Sequence, residues 1–115
     1  MGEGELLFSY GSFGGDELQL DTFGRVVAAE QDVLPGYVAE AAPATDPRLV
    51  DRIGPIPQRR LRHTGDALDK VVGRVLRLSA DELDAADDLV TPLLSRLPVT
   101  LASGRRAWVY VAADA

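Results

Sequence analysis

The run Ala107-Trp108-Val109-Tyr110-Val111 carries an apolar or aromatic side chain at every position. As a strand it sets Ala107, Val109 and Val111 on one face and Trp108 and Tyr110 on the other, because successive side chains alternate. A strand with one wet face would interleave polar residues. This one has to be covered on both sides, as in a closed or strongly curled sheet. Its partner stands close by: Leu97, Val99 and Leu101 alternate with Pro98 and Thr100, and Ala102-Ser103-Gly104 supplies turn chemistry, so the two segments read as a β-hairpin.

Two further strands follow from composition. Leu6-Leu7-Phe8-Ser9-Tyr10 is apolar and breaks into Gly11-Ser12-Phe13-Gly14-Gly15, with Leu6, Phe8 and Tyr10 on one face and Leu7 and Ser9 on the other. Glycines there let the backbone bend and let a ligand approach the amides, so a strand ending in such a loop suits an anion cradle as well as an ordinary strand-to-helix connection. Val71 to Leu78 is rich in β-branched residues, and Gly73 inside it marks a bulge or a close backbone approach. Arg59 to Arg62 forms a shorter strand, and Thr64-Gly65-Asp66 is a turn.

Helix signals occur twice. Asp16 caps a short helix running to about Arg25, with Gly24 near its end. Ser79-Ala80-Asp81-Glu82 is a capping box, in which the Ser hydroxyl and the Glu carboxylate satisfy each other's backbone amides. The helix behind it places Leu83, Ala86 and Val90 on one side and Asp84 and Asp88 on the other, while Asp87, one turn from Leu83, sits at the apolar margin. Val33-Leu34-Pro35-Gly36-Tyr37-Val38 reads as extended chain interrupted by a Pro-Gly turn. Residues 42–57, with Pro43, Pro47, Pro55 and Pro57, form the long irregular loop, either a pocket wall or a surface excursion.

At 115 residues the chain has the size of one domain, 1–115, with one core. Its formal net charge of −6 argues against nucleic acid as a partner, since that affinity is built on phosphate neutralisation. Arg59, Arg60 and Arg62 form a small basic cluster, read as solvated charge on an exposed strand or as a greeting for an acidic small molecule. There are no cysteines, so no thiolate nucleophile and no cysteine metal site; the single histidine, His63, excludes a multi-histidine zinc centre. No apolar run is long enough to span a bilayer, and Met1-Gly2-Glu3-Gly4-Glu5 is acidic where a secretory signal starts basic, so the expectation is a cytoplasmic protein with no membrane partner.

Tyr10-Gly11-Ser12-Phe13 at the end of an N-terminal apolar strand resembles the YGS signature of the γ-glutamylcyclotransferase-like (AIG2-like) family. Three more segments are similar to that family and arrive in its order: Val33-Leu34-Pro35-Gly36-Tyr37, Val72 to Leu78, and Ser103 to Val111. The resemblance implies an α+β fold, a small mixed β-barrel with flanking helices.

It also implies a chemistry. In that family an acidic residue takes a proton from the α-amine of a γ-glutamyl compound, and the amine attacks the γ-carbonyl, closing the ring of 5-oxoproline and expelling the amine or amino-acid partner with no metal or other cofactor. Carried over, Tyr10, Gly11, Ser12 and Phe13 hold the substrate and Asp87 is the catalytic base. The family pattern LDxxE becomes Leu83-Asp84-Ala85-Ala86-Asp87, an acid one methylene shorter; counting back from the hairpin without a gap sets Val90 at the acid's place instead. Two functions therefore stand open: a γ-glutamylcyclotransferase-like enzyme acting on a small-molecule γ-glutamyl substrate, or a member that keeps the fold as a small-molecule binding or protein-interaction module. The oligomeric state is not legible.

Overall fold

The computed structural model describes residues 4–10, 16–41, 59–91 and 94–112. Along them the elements are β1 (Glu5–Ser9), α1 (Asp16–Phe23), β2 (Ala29–Pro35), β3 (Tyr37–Ala41), β4 (Arg59–His63), β5 (Lys70–Leu78), α2 (Ala80–Val90), β6 (Leu94–Thr100) and β7 (Arg106–Ala112). Five strands make one mixed sheet in the order β2-β5-β1-β7-β6, and β3 and β4 pair in a separate two-stranded sheet. Neighbours in the large sheet are antiparallel except β1 and β7, which run parallel with Leu7 opposite Trp108.

The split between the sheets begins at Gly36. Pairing of β2 with β5 continues to Pro35 opposite Lys70, and pairing of β3 with β4 starts at Tyr37 opposite His63. These four strands are thus two arms of one long hairpin, folded over at a corner. Gly36 takes the bend at φ +81°, a backbone region that a Cβ disfavours. Its amide donates to the Asp69 carbonyl at 2.8 Å, and its own carbonyl accepts from the Thr64 and Gly65 amides at 2.8 and 3.1 Å. On the outer arm the Asp66 amide donates to Thr64 Oγ1 and the Leu68 amide to Asp66 Oδ1, the turn expected at Thr64-Gly65-Asp66.

Folding over lays the small sheet against β5 and β7. Tyr37, Ala39 and Leu61 cover a face made of Phe8, Leu34, Val71, Val75, Val99, Leu101, Ala107 and Val109. The opposite face, with Leu7, Leu76, Leu78 and Tyr110, receives Leu83, Ala86 and Val90 from α2. Burying Leu83 and Val90 contributes roughly 1.5–3 kcal/mol each. Both faces of β7 are therefore covered, as its sequence requires, but by two different layers.

This corrects the expected β-barrel: the fold is small and mixed α+β, and its sheets do not close. The chain leaves the large sheet at Gly36 rather than continuing around it, so β2 and β6 remain its edges. Curvature still brings the β6–β7 turn back to β2. The Ala102 amide donates to the Val33 carbonyl at 2.8 Å. Beside it Asp32, only 7% exposed, accepts from the Ser103 hydroxyl at 2.6 Å and from the Val33 amide at 2.8 Å, and pairs with Arg105 at 3.1 Å. Arg105 also holds Glu30 at 2.8 Å. Burial alone would raise the Asp32 carboxyl, yet the Ser103 hydroxyl, the Val33 amide and the Arg105 charge together hold it below its ordinary value.

Helix α1 ends at Phe23, two residues before the expected Arg25, and α2 is capped as its sequence dictates. Ser79 Oγ accepts from the Glu82 amide at 3.1 Å and the Ser79 amide donates to Glu82 Oε1 at 2.9 Å, completing the capping box. Arg25 adds two bonds to the same carboxylate, at 2.8 and 2.9 Å. Gly24 ends α1 at φ +75° with its amide on the Leu20 carbonyl. At Gly73 the register stays unbroken, so the close approach is the correct reading: a Cβ there would collide with the Ser9 carbonyl and lie 2.7 Å from Phe8 Cζ. No helix among the described residues is long and apolar enough to cross a membrane.

Candidate functional site

Asp87 sits where helix geometry puts it, one turn beyond Leu83 at the edge of the buried stripe of α2. From there its carboxylate reaches the β6–β7 hairpin. Tyr110 donates its hydroxyl to Asp87 Oδ1 at 2.7 Å, and Arg96 Nη2 pairs with Oδ2 at 2.9 Å. Arg96 and Tyr110 are register partners across the two strands, which is why both meet one carboxylate. The Asp87 and Arg96 side chains are 25% and 26% exposed.

Aromatic rings wall this pair. The Arg96 guanidinium lies 4.6 Å from the centre of the Trp108 ring, a cation–π stack. Trp108 Nε1 in turn donates to Glu5 Oε1 at 3.0 Å. Burial first, and the bond to Asp87 second, push the Tyr110 phenol well above the ordinary tyrosine value, so it remains a donor.

Tyr10 enters from β1. Its hydroxyl donates to the Tyr110 carbonyl at 2.7 Å. Because β1 and β7 run parallel, their carboxyl ends lie at one end of the sheet, and Tyr110 links the two sequence-predicted residues there: Tyr10 on its carbonyl, Asp87 on its hydroxyl. Gly11, Ser12 and Phe13 lie outside the described residues, as does the segment 42–57. Val90, the other position considered for the acid, is fully buried among Leu7, Leu78 and Leu83.

Arg96 and Tyr110 carry no mark of a site in the sequence alone. Their pairing emerges from the hairpin register, which sets the one arginine of β6 opposite Tyr110 of β7. His63 packs edge-on against Tyr37 at 4.9 Å on the small sheet, with the large sheet between it and Asp87, so the two do not form a catalytic pair. Leu18, Asp21, Thr22, Ala85, Asp88 and Leu89 line a shallow groove between α1 and α2 that contains none of the predicted site residues. Among the described residues no three His, Asp or Glu side chains converge as a metal ion would need.

No protein-family model and no curated protein sequence matches the chain. Solved structures do match its fold. An Arabidopsis thaliana protein determined in solution is 20% identical with a TM-score of 0.75, over 99% of this chain and 65% of its own. The chain thus spans less than two thirds of that relative's length. A Kluyveromyces lactis allophanate hydrolase is 17% identical with a TM-score of 0.71, over 96% of this chain and only 17% of the enzyme. A γ-glutamyl cyclotransferase is 17% identical with a TM-score of 0.63, over 96% of this chain and 67% of its own. The fold of this chain is γ-glutamyl-cyclotransferase-like.

Proposed function

We propose that the chain is a binding module for small γ-glutamyl compounds that holds them at the carboxyl ends of β1 and β7 without cyclising them. One observation carries the reading: both oxygens of Asp87 are already engaged, by the Tyr110 hydroxyl and by Arg96. A carboxylate already shared between a phenol and a guanidinium holds an incoming ammonium as a counter-ion rather than removing its proton. The one-turn neighbour Val90 offers no acid at all. The likeness in fold to a γ-glutamyl cyclotransferase supports the ligand class, and Tyr10 with Gly11, Ser12 and Phe13 supplies the substrate-side contacts in this reading.

A second reading keeps the enzyme. It is favoured by the placement of Asp87 and Tyr10 on either side of Tyr110, which puts a carboxylate at the same end of the sheet as Tyr10. Incubating the chain with γ-glutamyl amines and dipeptides separates the two. Binding seen by calorimetry with no release of 5-oxoproline supports the module. Release of 5-oxoproline that disappears in a folded Asp87→Asn variant overturns it in favour of the enzyme.

A further inference from the structure

Arg25, Arg62, Arg96 and Arg105 each hold a carboxylate. Among the described residues Arg74, Arg77 and Arg106 hold none, and register separates these three. On the face covered by α2, Arg74 of β5 stands opposite Ser9 of β1 and Gln31 of β2. Ser9, two residues beyond Leu7, stands beside Tyr110, two beyond Trp108, and Tyr110 faces Arg96. Arg74 therefore shares one row of the sheet with the tyrosine that holds Asp87. Arg77 points to the opposite face, and Arg106 sits at the start of β7, away from that row.

The row has a definite length. Two strand widths, about 10 Å, part the backbones of Arg74 and Tyr110. Between them lies the short side chain of Ser9, which is buried, whereas Arg74 is exposed. The nitrogen and carboxyl carbon of a single amino-acid head are only about 2.5 Å apart and cannot span the row. In a γ-glutamyl dipeptide seven bonds separate the α-ammonium from the carboxylate of the second residue, an extended reach of about 8–9 Å.

We infer that Arg74 is a specificity-determining residue, which pairs with the carboxylate of the second residue of a γ-glutamyl dipeptide and so favours dipeptides over γ-glutamylamines. This rests on the ligand-binding reading above, in which Asp87 faces the ammonium with its bonds to Tyr110 and Arg96 intact. A γ-glutamylamine has no second carboxylate and leaves Arg74 to water. The planar guanidinium suits a terminal carboxylate, and Arg74 gives up no partner to receive it. Because Arg74 is open to solvent, the pair adds preference between ligands rather than most of the affinity.

Calorimetric titration of the full chain tests this with γ-glutamylalanine and with γ-glutamylalanine amide, the same molecule with its second carboxylate neutralised. The wild type is expected to bind the acid about fivefold tighter than the amide at low salt, as one solvent-open charge pair allows, and added salt should narrow the gap. Arg74→Gln should weaken the acid to the level of the amide and leave the amide unchanged. Arg74→Lys should keep part of the preference, and Arg77→Gln, on the opposite face, all of it. Equal binding of acid and amide by the wild type, a preference that survives Arg74→Gln, or equal weakening of both ligands by that variant overturns the inference and leaves the γ-glutamyl reading standing. Failure of both ligands to bind at millimolar concentration overturns that reading and the inference with it.

Discussion

Glu82→Gln isolates what one carboxylate does for the fold. In the native chain Glu82 closes the capping box on Ser79 and takes two bonds from Arg25, which ties the segment after α1 to the start of α2. The Arg25 bonds foremost, with further help from Ser79 and against the cost of burial, lower its pKa from 4.5 to about 2. At about 1.36 kcal/mol per unit that shift would correspond to roughly 3 kcal/mol. The Arg25 side chain is 53% exposed, however, and solvent screening brings the share to about 1–2 kcal/mol. Glutamine keeps the reach to the Ser79 amide but loses the charge, so the variant should be less stable by that amount at neutral pH.

The pH dependence has a definite sign. Between about 2 and 4.5 the unfolded chain binds a proton at Glu82 that the folded chain resists, so stability rises with pH across that window. The gap between wild type and Glu82→Gln should therefore be full above the window and shrink as the pH falls through it. Urea unfolding followed by circular dichroism at neutral pH and near pH 3 measures both points. A gap that is absent at neutral pH, or unchanged at acid pH, would refute the assignment of the stabilisation to the Glu82 charge.

Other outcomes follow from single contacts. Gly73→Ala drives a methyl into the Ser9 carbonyl and Phe8 and should cost about 1–3 kcal/mol in chemical denaturation. Ser103→Ala removes the hydroxyl from buried Asp32 and should cost about 1–2 kcal/mol, with hydrogen exchange at the Ala102 amide rising first. Tyr110→Phe takes the donor from Asp87; the wild type, with the phenol pKa raised in the folded state, should lose stability as pH climbs above 10.0 and the variant should lose less. Since Trp108 is the single tryptophan, Arg96→Gln should shift its emission without unfolding the chain.

What the sequence made legible were the local devices. The capping box, the end of α1 at Gly24, the turn at Thr64-Gly65-Asp66 and the β6–β7 hairpin each depend on residues within a few positions of one another. The apolar character of both faces of β7 was equally plain, but it states only that each face is covered. Helix α2 on one side and the folded-over sheet on the other meet that demand as well as closure would, and nothing local distinguishes them. Gly36 was visible as a turn, whereas its role as a corner depends on Asp69, Thr64 and Gly65 arriving from the other arm. The candidate site divides likewise. Asp87 stood out because helical spacing put it at an apolar margin, while its partners Arg96 and Tyr110 come from a hairpin whose register a linear reading does not supply.

The parallel pairing of β1 with β7 has a consequence for how the chain is made. Of the described strands β1 is synthesised first and lies between β5 and β7, and β7 is synthesised last. Contacts such as Tyr10 to Tyr110 span 100 positions. Until β7 emerges, one side of β1 carries unpaired backbone groups among Leu6, Leu7 and Phe8, the kind of edge that recruits foreign strands. Vectorial folding from the amino end is therefore stalled at the sheet's own centre. Large sequence separation of the closing contact also slows refolding in the test tube. A nascent chain halted before Arg106 should bind holdase chaperones and resist compaction, and extension through Ala112 should release it.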